Sequence, residues 1–293
     1  MFWRLFLLRC IGAYLRNVPD HPGRWRLIDP AVALAPALRA RTQPIVIKVR
    51  DGFRLQIDGS SQTGRILYAT GEYESETSRL VHRLLGPGQT MIDVGANIGY
   101  FTVVGARAVG PKGHVVAFEP VAAVRERLLC NVRLNQLTNV TIREEALSVR
   151  SGTAVLFTGP ENDTGLASLR PLAASAQVNV VQARLDDLWD STRPIALIKI
   201  DVEGAELAAL QGMSECLSRD SPDLIVEVTD EYLRAMGSSA ASLVAFLLVC
   251  GYSMFRIDAT GLVQVEGVEG LKHCPSQFNA LFTKRTDIAG LMG

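Results

Sequence analysis

The sequence predicts an α/β fold in which a mainly parallel β-sheet is covered by helices on both faces. Short apolar runs recur from residue 86 onward, and segments with helical periodicity separate them. The chain has 293 residues, of which 48% are hydrophobic, so it is long enough to bury a large core. This length suits one large domain with a modest extension.

Residues 1–44 are predicted to form a helical extension and a connector. Arginines at positions 4, 9 and 16 stand between apolar residues, as in an amphipathic helix. The stretch is too short to span a bilayer and lacks a convincing cleavage site, so no transmembrane segment or signal sequence is predicted. Packing on its own domain or in a homo-oligomer is favoured, while peripheral contact with a membrane through residues 1–16 stays open. Five prolines between 17 and 44 indicate a connector with one short helix around 31–40.

Residues 45–85 are predicted to form a β-hairpin and a helix ahead of the core. The segment 45–58 alternates apolar and polar residues on both sides of Asp51-Gly52, which is typical of two strands joined by a tight turn. Residues 74–85 place leucines and a valine at helical spacing, and a Gly-Pro-Gly sequence ends that helix.

Residues 86–285 are predicted to form the core domain, and 286–293 a C-terminal tail. The core strands are expected at 90–94, 114–118, 140–144, 196–200 and 224–228. The helices between them are expected near 98–109, 121–136, 204–217 and 239–250. Further strands are expected at 152–157 and 179–184, and a terminal antiparallel pair at 252–257 and 280–283.

Composition argues against two classes of function. Thirty Lys and Arg balance thirty Asp and Glu, so no general electrostatic field attracts the protein to nucleic acid, and no nucleic-acid partner is expected. The five cysteines and four histidines are scattered without the spacing of a metal site. Reduced thiols in a cytoplasmic protein are the expected state of these cysteines.

The most informative segment is MIDVGANIGYFT at 91–102, where an apolar strand leads into Asp93, Gly95, Asn97 and Gly99 and then a helix. Glycines at this turn let main-chain amides approach a ligand, and the first turn of the helix favours a carboxylate. The spacing differs from the G-x-G-x-x-G fingerprint of dinucleotide sites. A ligand crevice is therefore predicted at the carboxyl end of the first core strand.

Glu119 follows the second core strand, about one βαβ unit after the glycine turn. An acidic side chain at this position can accept hydrogen bonds from both hydroxyls of a ribose. Together, the glycine turn and this acid predict a nucleoside-binding site.

Three ordered motifs carry a family resemblance: D-V-G-A-N-I-G-Y-F-T, F-E-P and I-K-I-D-V-E-G-A-E. Over about residues 45–285 the chain resembles FkbM-type S-adenosylmethionine-dependent methyltransferases. The resemblance implies a Rossmann-like class I methyltransferase fold with a seven-stranded sheet of order 3-2-1-4-5-7-6. It also implies O-methylation of a hydroxyl on a sugar, glycan or small-molecule metabolite.

The resemblance assigns twelve residues to an S-adenosylmethionine site: Glu74, Asp93, Gly95, Ala96, Asn97, Gly99, Tyr100, Phe101, Glu119, Pro120, Glu145 and Ala146. Residues of the glycine turn would surround the methionine end, and Tyr100 and Phe101 would close the pocket there. Glu119 would hold the ribose, and the turn at Glu145 would contact the adenine. Glu74 is equally explained as a charge at a helix N-terminus. A loop at 162–168 resembles a family loop, but Leu166 and Ala167 make it more apolar.

A second group of chemistry-bearing residues lies at the ends of the fourth and fifth core strands. Strand alternation places Lys199, Asp201 and Glu203 on one side, and Glu227 faces the same rim. A carboxylate here is predicted to act as general base on the acceptor hydroxyl, with Asp201 the first choice. Helix capping and a simple Lys199 ion pair remain alternatives. A Mg²⁺ ion bound by these carboxylates also stays open.

Three other functions are alternatives to methyl transfer to a metabolite. A nicotinamide-dependent oxidoreductase on a similar fold is disfavoured by the missing second glycine of the dinucleotide fingerprint. A non-catalytic methyltransferase-like binding subunit would show no cofactor binding. Methylation of protein or RNA is a third alternative, although no basic groove with interleaved aromatics is evident.

Overall fold

The protein is described by a computed structural model, which covers residues 2–18, 27–35, 38, 43–158, 167–168, 176–189 and 192–291. Its helices are α1 (Phe2–Asn17), α2 (Ile28–Leu34), α3 (Gln62–Thr70), α4 (Ser75–Leu84), α5 (Tyr100–Val109), α6 (Ala122–Leu134), α7 (Leu185–Leu188), α8 (Glu206–Gln211), α9 (Ser214–Asp220), α10 (Asp230–Ala235) and α11 (Ala240–Val249). Short 3₁₀ helices lie at Glu269–His273 and Ala289–Leu291.

The strands form three sheets. They are β1 (Ile45–Lys48), β2 (Arg54–Ile57), β3 (Thr90–Val94), β4 (His114–Phe118), β5 (Val140–Arg143), β6 (Ala146–Leu147), β7 (Gly152–Thr158), β8 (Ala167–Ser168), β9 (Ala176–Ala183), β10 (Ile195–Ile200), β11 (Asp223–Thr229), β12 (Ser253–Asp258), β13 (Gly261–Val265) and β14 (Gln277–Thr283). The central sheet has the order β13-β12-β14-β11-β10-β3-β4-β5.

The central sheet is mainly parallel, which confirms the predicted α/β class. Strands β3, β4, β5, β10 and β11 run parallel, whereas β14, β12 and β13 add antiparallel pairs at one side. The sheet has eight strands rather than seven, because β13 folds back on β12 as an edge hairpin. The other seven, numbered along the chain, stand in the order 3-2-1-4-5-7-6.

The predicted hairpin ahead of the core is present, with Ile45 opposite Ile57 and Lys48 opposite Arg54. Helix α3, which follows it, was not predicted. Ser61 caps this helix by accepting a hydrogen bond from the Gly64 amide at 3.0 Å. The short helix expected around 31–40 is instead α2, which ends at residue 34, and most of the remaining range lies outside the described residues.

The single helix expected at 204–217 is wrong, because the structure has two helices there, α8 and α9. The Asp186 carboxylate accepts hydrogen bonds from the amides of Glu215 and Cys216 at 3.2 and 3.0 Å. This contact satisfies the first amides of α9, so a new helix begins instead of α8 continuing.

A smaller sheet, β6-β9-β7-β8, is formed by the strands that lie between β5 and β10 in the sequence. It contains both strands predicted for this region, paired antiparallel as β7 and β9. Most of the loop at 162–168 lies outside the described residues, apart from the two that form β8.

The N-terminal extension shares a hydrophobic core with the domain. Leu8 and Leu15 of α1 are fully buried in the same cluster as Leu67 of α3 and Val103 of α5. A second cluster fills the other face of the sheet beneath α8, α9 and α11. Within the described part of the chain, every helix is too short or too polar to cross a membrane.

Candidate active site

One cavity opens where the parallel strands end. Val94 of β3 pairs with Ile200 of β10 and with Phe118 of β4, so the three strands end level with one another and the turns after them meet around one space. The described residues that line this cavity are Gln62, Thr63, Ile66, Tyr73, Val94, Gly95, Asn97, Phe118, Glu119, Pro120, Glu145, Ala146, Leu147, Leu156, Asp201, Val202, Glu203, Ala205, Glu227, Tyr232 and Gln277.

A glycine is required at position 95 because the turn after β3 and the turn after β10 approach each other closely there. Gly95 has a φ of 79°, and a Cβ at this position would lie 1.9 Å from the carbonyl oxygen of Asp201. Any larger residue would push the turn after β3 away from the turn after β10. The sequence predicts that Gly95 lets the backbone approach a ligand, whereas in the structure it lets the two turns pack against each other.

The amides of the glycine turn are largely used within the protein. The amides of Gly95 and Ala96 both donate to the Phe118 carbonyl at 3.0 Å, and the Gly99 amide donates to the Ala96 carbonyl at 2.9 Å. The Asn97 amide donates to the Glu119 carboxylate at 3.0 Å. The expectation that these amides wait for a ligand therefore needs correction, because their hydrogen bonds fix the shape of the turn instead.

The Glu119 carboxylate is held rigidly at the edge of the cavity. One oxygen accepts from the Asn97 amide at 3.0 Å and the other from the Val121 amide at 2.9 Å. Burial raises the pKa of Glu119 to about 7, against the opposing effect of these two hydrogen bonds. Each oxygen has a further lone pair available, so the carboxylate can still accept from two hydroxyl groups.

Arg125 supports the segment after β4. Its guanidinium donates to the carbonyls of Glu119 and Pro120 at 2.9 Å each. Pro120 itself lines the cavity next to Glu119. No sequence pattern predicts the role of this arginine, because it lies within α6 and reaches back to the strand end.

Glu145 and Ala146 line the cavity as predicted for the turn after the third strand. The Glu145 carboxylate accepts from Nε and Nη2 of Arg143 at 3.1 and 2.5 Å. Burial alone would raise the pKa of Glu145, but these hydrogen bonds outweigh it and lower the pKa. Glu145 therefore keeps its charge and is oriented by Arg143.

Asp93 lies beneath the cavity rather than along its wall. Its side chain is buried and accepts a hydrogen bond from the Thr102 hydroxyl at 2.6 Å. Burial raises its pKa, and the charge of Lys199 opposes that rise. Among the described residues, its contacts connect β3 with α5 below the glycine turn.

Tyr100 and Phe101 lie away from the cavity, which corrects the expectation that they close it. The Tyr100 ring packs on Phe53 at 5.6 Å between centroids, and its hydroxyl lies 3.4 Å from the Asp51 carboxylate in the hairpin turn. Both residues begin α5, but only Tyr100 points toward the hairpin, whereas the Phe101 ring lies next to the Lys199 ammonium. Tyr73, which precedes Glu74 and for which no role was predicted, lines the cavity and contacts both rings edge-on.

Lys199 is buried below the acidic side of the cavity. Its Nζ lies 3.0 Å from Asp201 Oδ2 and 4.5 Å from the centre of the Phe101 ring. Burial opposes its positive charge, but the carboxylates of Asp201, Glu74 and Asp93 outweigh that effect and raise its pKa. The predicted alternative of an ion pair with a carboxylate is thus present, and it fixes Asp201 at the cavity wall.

The turn after β10 has a strained backbone that Glu206 supports. Glu203 and Gly204 have positive φ values of 55° and 107°, so the extended geometry assumed for Glu203 does not persist. Glu206 Oε1 accepts from the amides of Val202 and Gly204 at 3.1 and 3.0 Å. Asp201 and Glu203 nevertheless line the same cavity.

Glu227 completes the acidic side of the cavity. Gln277 of β14 donates to it at 2.7 Å. Burial and then the charge of Asp201 raise the pKa of Glu227 to about 9. Glu227 therefore carries a proton at neutral pH and can donate a hydrogen bond.

Glu74 lies behind this wall at the start of α4. Its carboxylate accepts from the Asn279 amide at 2.8 Å, and its backbone φ is 46°. Burial raises its pKa, while Lys199 opposes that rise. The alternative for Glu74 was a charge at a helix N-terminus. Glu74 is indeed the N-cap residue of α4, but its side chain makes no capping hydrogen bond.

Sequence reasoning missed the wall that α3 contributes, namely Gln62, Thr63 and Ile66. It also missed Tyr232 and Gln277, which come from α10 and from the first residue of β14. A serine three residues before Gly64 was the one signal for α3. Among the described residues, no group of three or more His, Cys, Asp or Glu side chains is arranged to hold a metal.

Comparisons with known proteins point to one family. Residues 93–254, more than half of the chain, match the model of the methyltransferase FkbM domain. AMB antimetabolite synthetase AmbE of Pseudomonas aeruginosa is 26% identical over 216 residues, which are 60% of this chain and 10% of that protein. Methyltransferase sdnD of Sordaria araneosa is 30% identical over 158 residues, which are 43% of this chain and 60% of that protein.

A solved structure of methyltransferase FkbM from Methylobacillus flagellatus KT is also similar. Its TM-score is 0.45 at 17% identity, and the match covers 87% of this chain and 58% of that chain. This chain thus spans less than two thirds of the length of each of the three proteins.

Proposed function

The chain belongs to the FkbM methyltransferase family, and we propose that it transfers a methyl group from S-adenosylmethionine to a hydroxyl oxygen of a sugar, glycan or other small metabolite. One observation supports this proposal above the others. A single cavity joins Glu119, suited to a ribose, with the acidic side chains Asp201, Glu203 and Glu227. Donor and acceptor would therefore meet in one cavity.

The residues on one side of the cavity fit a nucleoside. Glu119 is fixed by two backbone amides and has lone pairs left for two hydroxyl groups. Asn97 and Glu145 line the same cavity. When bound, S-adenosylmethionine supplies a methyl group that its positively charged sulfur makes electrophilic.

On the other side, Asp201 is suited to accept the proton of the acceptor hydroxyl. It lines the cavity, and the Lys199 ion pair at 3.0 Å fixes its carboxylate. Glu227 holds its own proton at neutral pH because its pKa is raised to about 9, so it is better placed to donate a hydrogen bond to the acceptor than to remove a proton. We therefore assign the role of base to Asp201.

We also propose that the protein works in the cytoplasm. All five cysteines, Cys10, Cys130, Cys216, Cys250 and Cys274, are free thiols in the structure. Free thiols are the usual state in a reducing compartment, whereas proteins of oxidising compartments pair them.

The test combines binding and methyl transfer. We expect calorimetry to show binding of S-adenosylhomocysteine, and radiolabelled S-adenosylmethionine to label at least one member of a panel of sugars, glycans and small hydroxylated metabolites. The Asp201→Asn variant should keep its affinity for S-adenosylhomocysteine while kcat falls by ~10²–10⁴-fold, because it lacks the base. Asp187→Asn, which changes an exposed carboxylate that lies outside the cavity lining, is the matched control.

Three results would contradict parts of this proposal. Binding of NADH without binding of S-adenosylhomocysteine would favour the oxidoreductase alternative. Binding of neither ligand by the folded protein would favour a non-catalytic subunit. Full activity of Asp201→Asn on a labelled acceptor would reject Asp201 as the base but leave methyl transfer intact.

A further inference from the structure

Helix α1 has a continuous apolar stripe on its exposed side. At 3.6 residues per turn, five exposed residues fall within an arc of about 100°. They are Trp3, Phe6, Leu7, Cys10 and Tyr14. Trp3 and Phe6 are 61% and 66% exposed. The opposite side of the same helix carries the fully buried Leu8 and Leu15. Among the described residues, packing on the domain therefore uses one side of α1 and leaves the second apolar side exposed.

Positive charge borders this stripe. Arg4 and Arg9 are exposed and lie on either side of it, and the Arg4 guanidinium is 5.8 Å from the centre of the Trp3 ring. Arg16 instead turns inward and donates to the Tyr68 carbonyl. The helix contains no aspartate or glutamate, although the whole chain has equal numbers of acidic and basic residues.

We propose that this stripe of α1 docks on an anionic membrane surface. Aromatic and aliphatic side chains flanked by arginines are suited to the boundary between lipid headgroups and acyl chains. With 16 residues and three arginines, α1 is too short and too charged to cross the bilayer, so it lies along the surface.

A second copy of the chain fits the stripe less well. A two-fold contact through α1 would place Arg4 and Arg9 of both copies around one interface, and α1 offers no carboxylate to neutralise them. Anionic lipid headgroups supply the missing negative charge. Charge complementarity therefore selects the membrane over self-association.

Vesicle sedimentation of the full chain tests the proposal. We expect binding to vesicles that contain phosphatidylcholine and phosphatidylglycerol, weaker binding at high salt, and little binding to phosphatidylcholine alone. Trp3→Ala combined with Phe6→Ala should weaken binding roughly tenfold or more through lost apolar contact. Arg4→Gln combined with Arg9→Gln should weaken it by on the order of fivefold per arginine.

Matched controls change exposed residues elsewhere on the surface. Val249→Ala removes an exposed aliphatic group at the end of α11, and Arg107→Gln removes an exposed arginine of α5. Neither control should change vesicle binding, and thermal unfolding should show that all variants remain folded. Failure to bind phosphatidylglycerol vesicles, or equal binding to both vesicle types, would overturn the proposal. A dimer in light scattering that Trp3→Ala with Phe6→Ala dissociates, without vesicle binding by the native chain, would overturn it as well.

Discussion

At the scale of single residues, burial sets the protonation of the cavity. Glu119 and Glu227 are both glutamates at strand ends, yet burial and neighbouring charges raise their pKa values to about 7 and about 9. The difference follows from their partners, since Glu119 accepts from two backbone amides whereas Glu227 also lies near Asp201. One side of the cavity thus gains negative charge near neutral pH, while Glu227 stays protonated.

The pKa of Glu119 predicts how cofactor affinity depends on pH. Only the ionised carboxylate accepts two hydroxyl hydrogen bonds, and the free protein takes up a proton here as the pH falls through about 7. The affinity for S-adenosylhomocysteine should therefore be level above that pH and fall below it by up to tenfold per pH unit, as measured by calorimetry.

Glu119→Ala is the control for this pH dependence. The variant should bind ~1–3 kcal/mol more weakly, because it lacks charged hydrogen bonds, and its affinity should no longer change with pH in this range. A native protein whose affinity stays level from neutral to acidic pH would remove Glu119 from the ribose site.

At the scale of elements, short polar side chains determine how neighbouring segments fit together. Asn131 of α6 accepts from the Gln56 amide at 2.6 Å and donates to the carbonyls of Gln56 and Ile98 at 3.1 and 2.8 Å. Asn135, one turn later, accepts from the Arg54 amide and donates to its carbonyl at 3.0 and 2.7 Å. These two side chains pair with β2 much as a neighbouring strand would, so α6 joins the hairpin to the glycine turn.

Loss of this pairing should destabilise the whole chain. Asn131 is buried, and Asn131→Ala removes the hydrogen-bond partner of one backbone amide and two backbone carbonyls. The free energy of unfolding, measured by urea titration, should therefore fall by ~2–4 kcal/mol. Asn135→Ala removes a similar pair of bonds at a more exposed place and should cost about 1 kcal/mol or less. Equal effects of the two substitutions would contradict this account of the hairpin contact.

The turn after β10 depends on Glu206 in a comparable way. Glu206→Ala removes the acceptor of the Val202 and Gly204 amides, so Asp201 and Glu203 should shift and kcat should fall by up to ~10²-fold. Glu206→Gln keeps one oxygen that can accept from both amides and should restore most of kcat. The affinity for S-adenosylhomocysteine should change little in either variant, and a loss confined to that affinity would contradict the assigned role.

At the scale of the whole molecule, the sequence was sufficient to predict the positions of the elements whose apolar residues have a strong periodicity. Strands β3 and β4 lie at the predicted residues, and the predicted hairpin is present, because buried parallel strands and a tight Asp-Gly turn leave clear patterns. The acids after β4 and β10, and Glu227 near the end of β11, gather at one cavity because the carboxyl ends of parallel strands share an edge of the sheet.

What the sequence could not predict depends on contacts between distant segments. The wall formed by α3 comes from a nine-residue helix whose apolar side is recognisable only once α1 packs on it. The direction of Tyr100 is set by Phe53 in the hairpin, and the break between α8 and α9 is set by Asp186. None of these partners is a neighbour in sequence.

The ammonium group of Lys199 has three acids, Asp201, Glu74 and Asp93, within its electrostatic reach, and burial raises the pKa of Glu74 and Asp93. A sulfonium donor brings a further positive charge, which favours the ionised form of acids near it, and the thioether left after methyl transfer is neutral. These acids therefore attract the donor more strongly than the spent product. We expect product inhibition to be weak, with S-adenosylhomocysteine bound less tightly than S-adenosylmethionine.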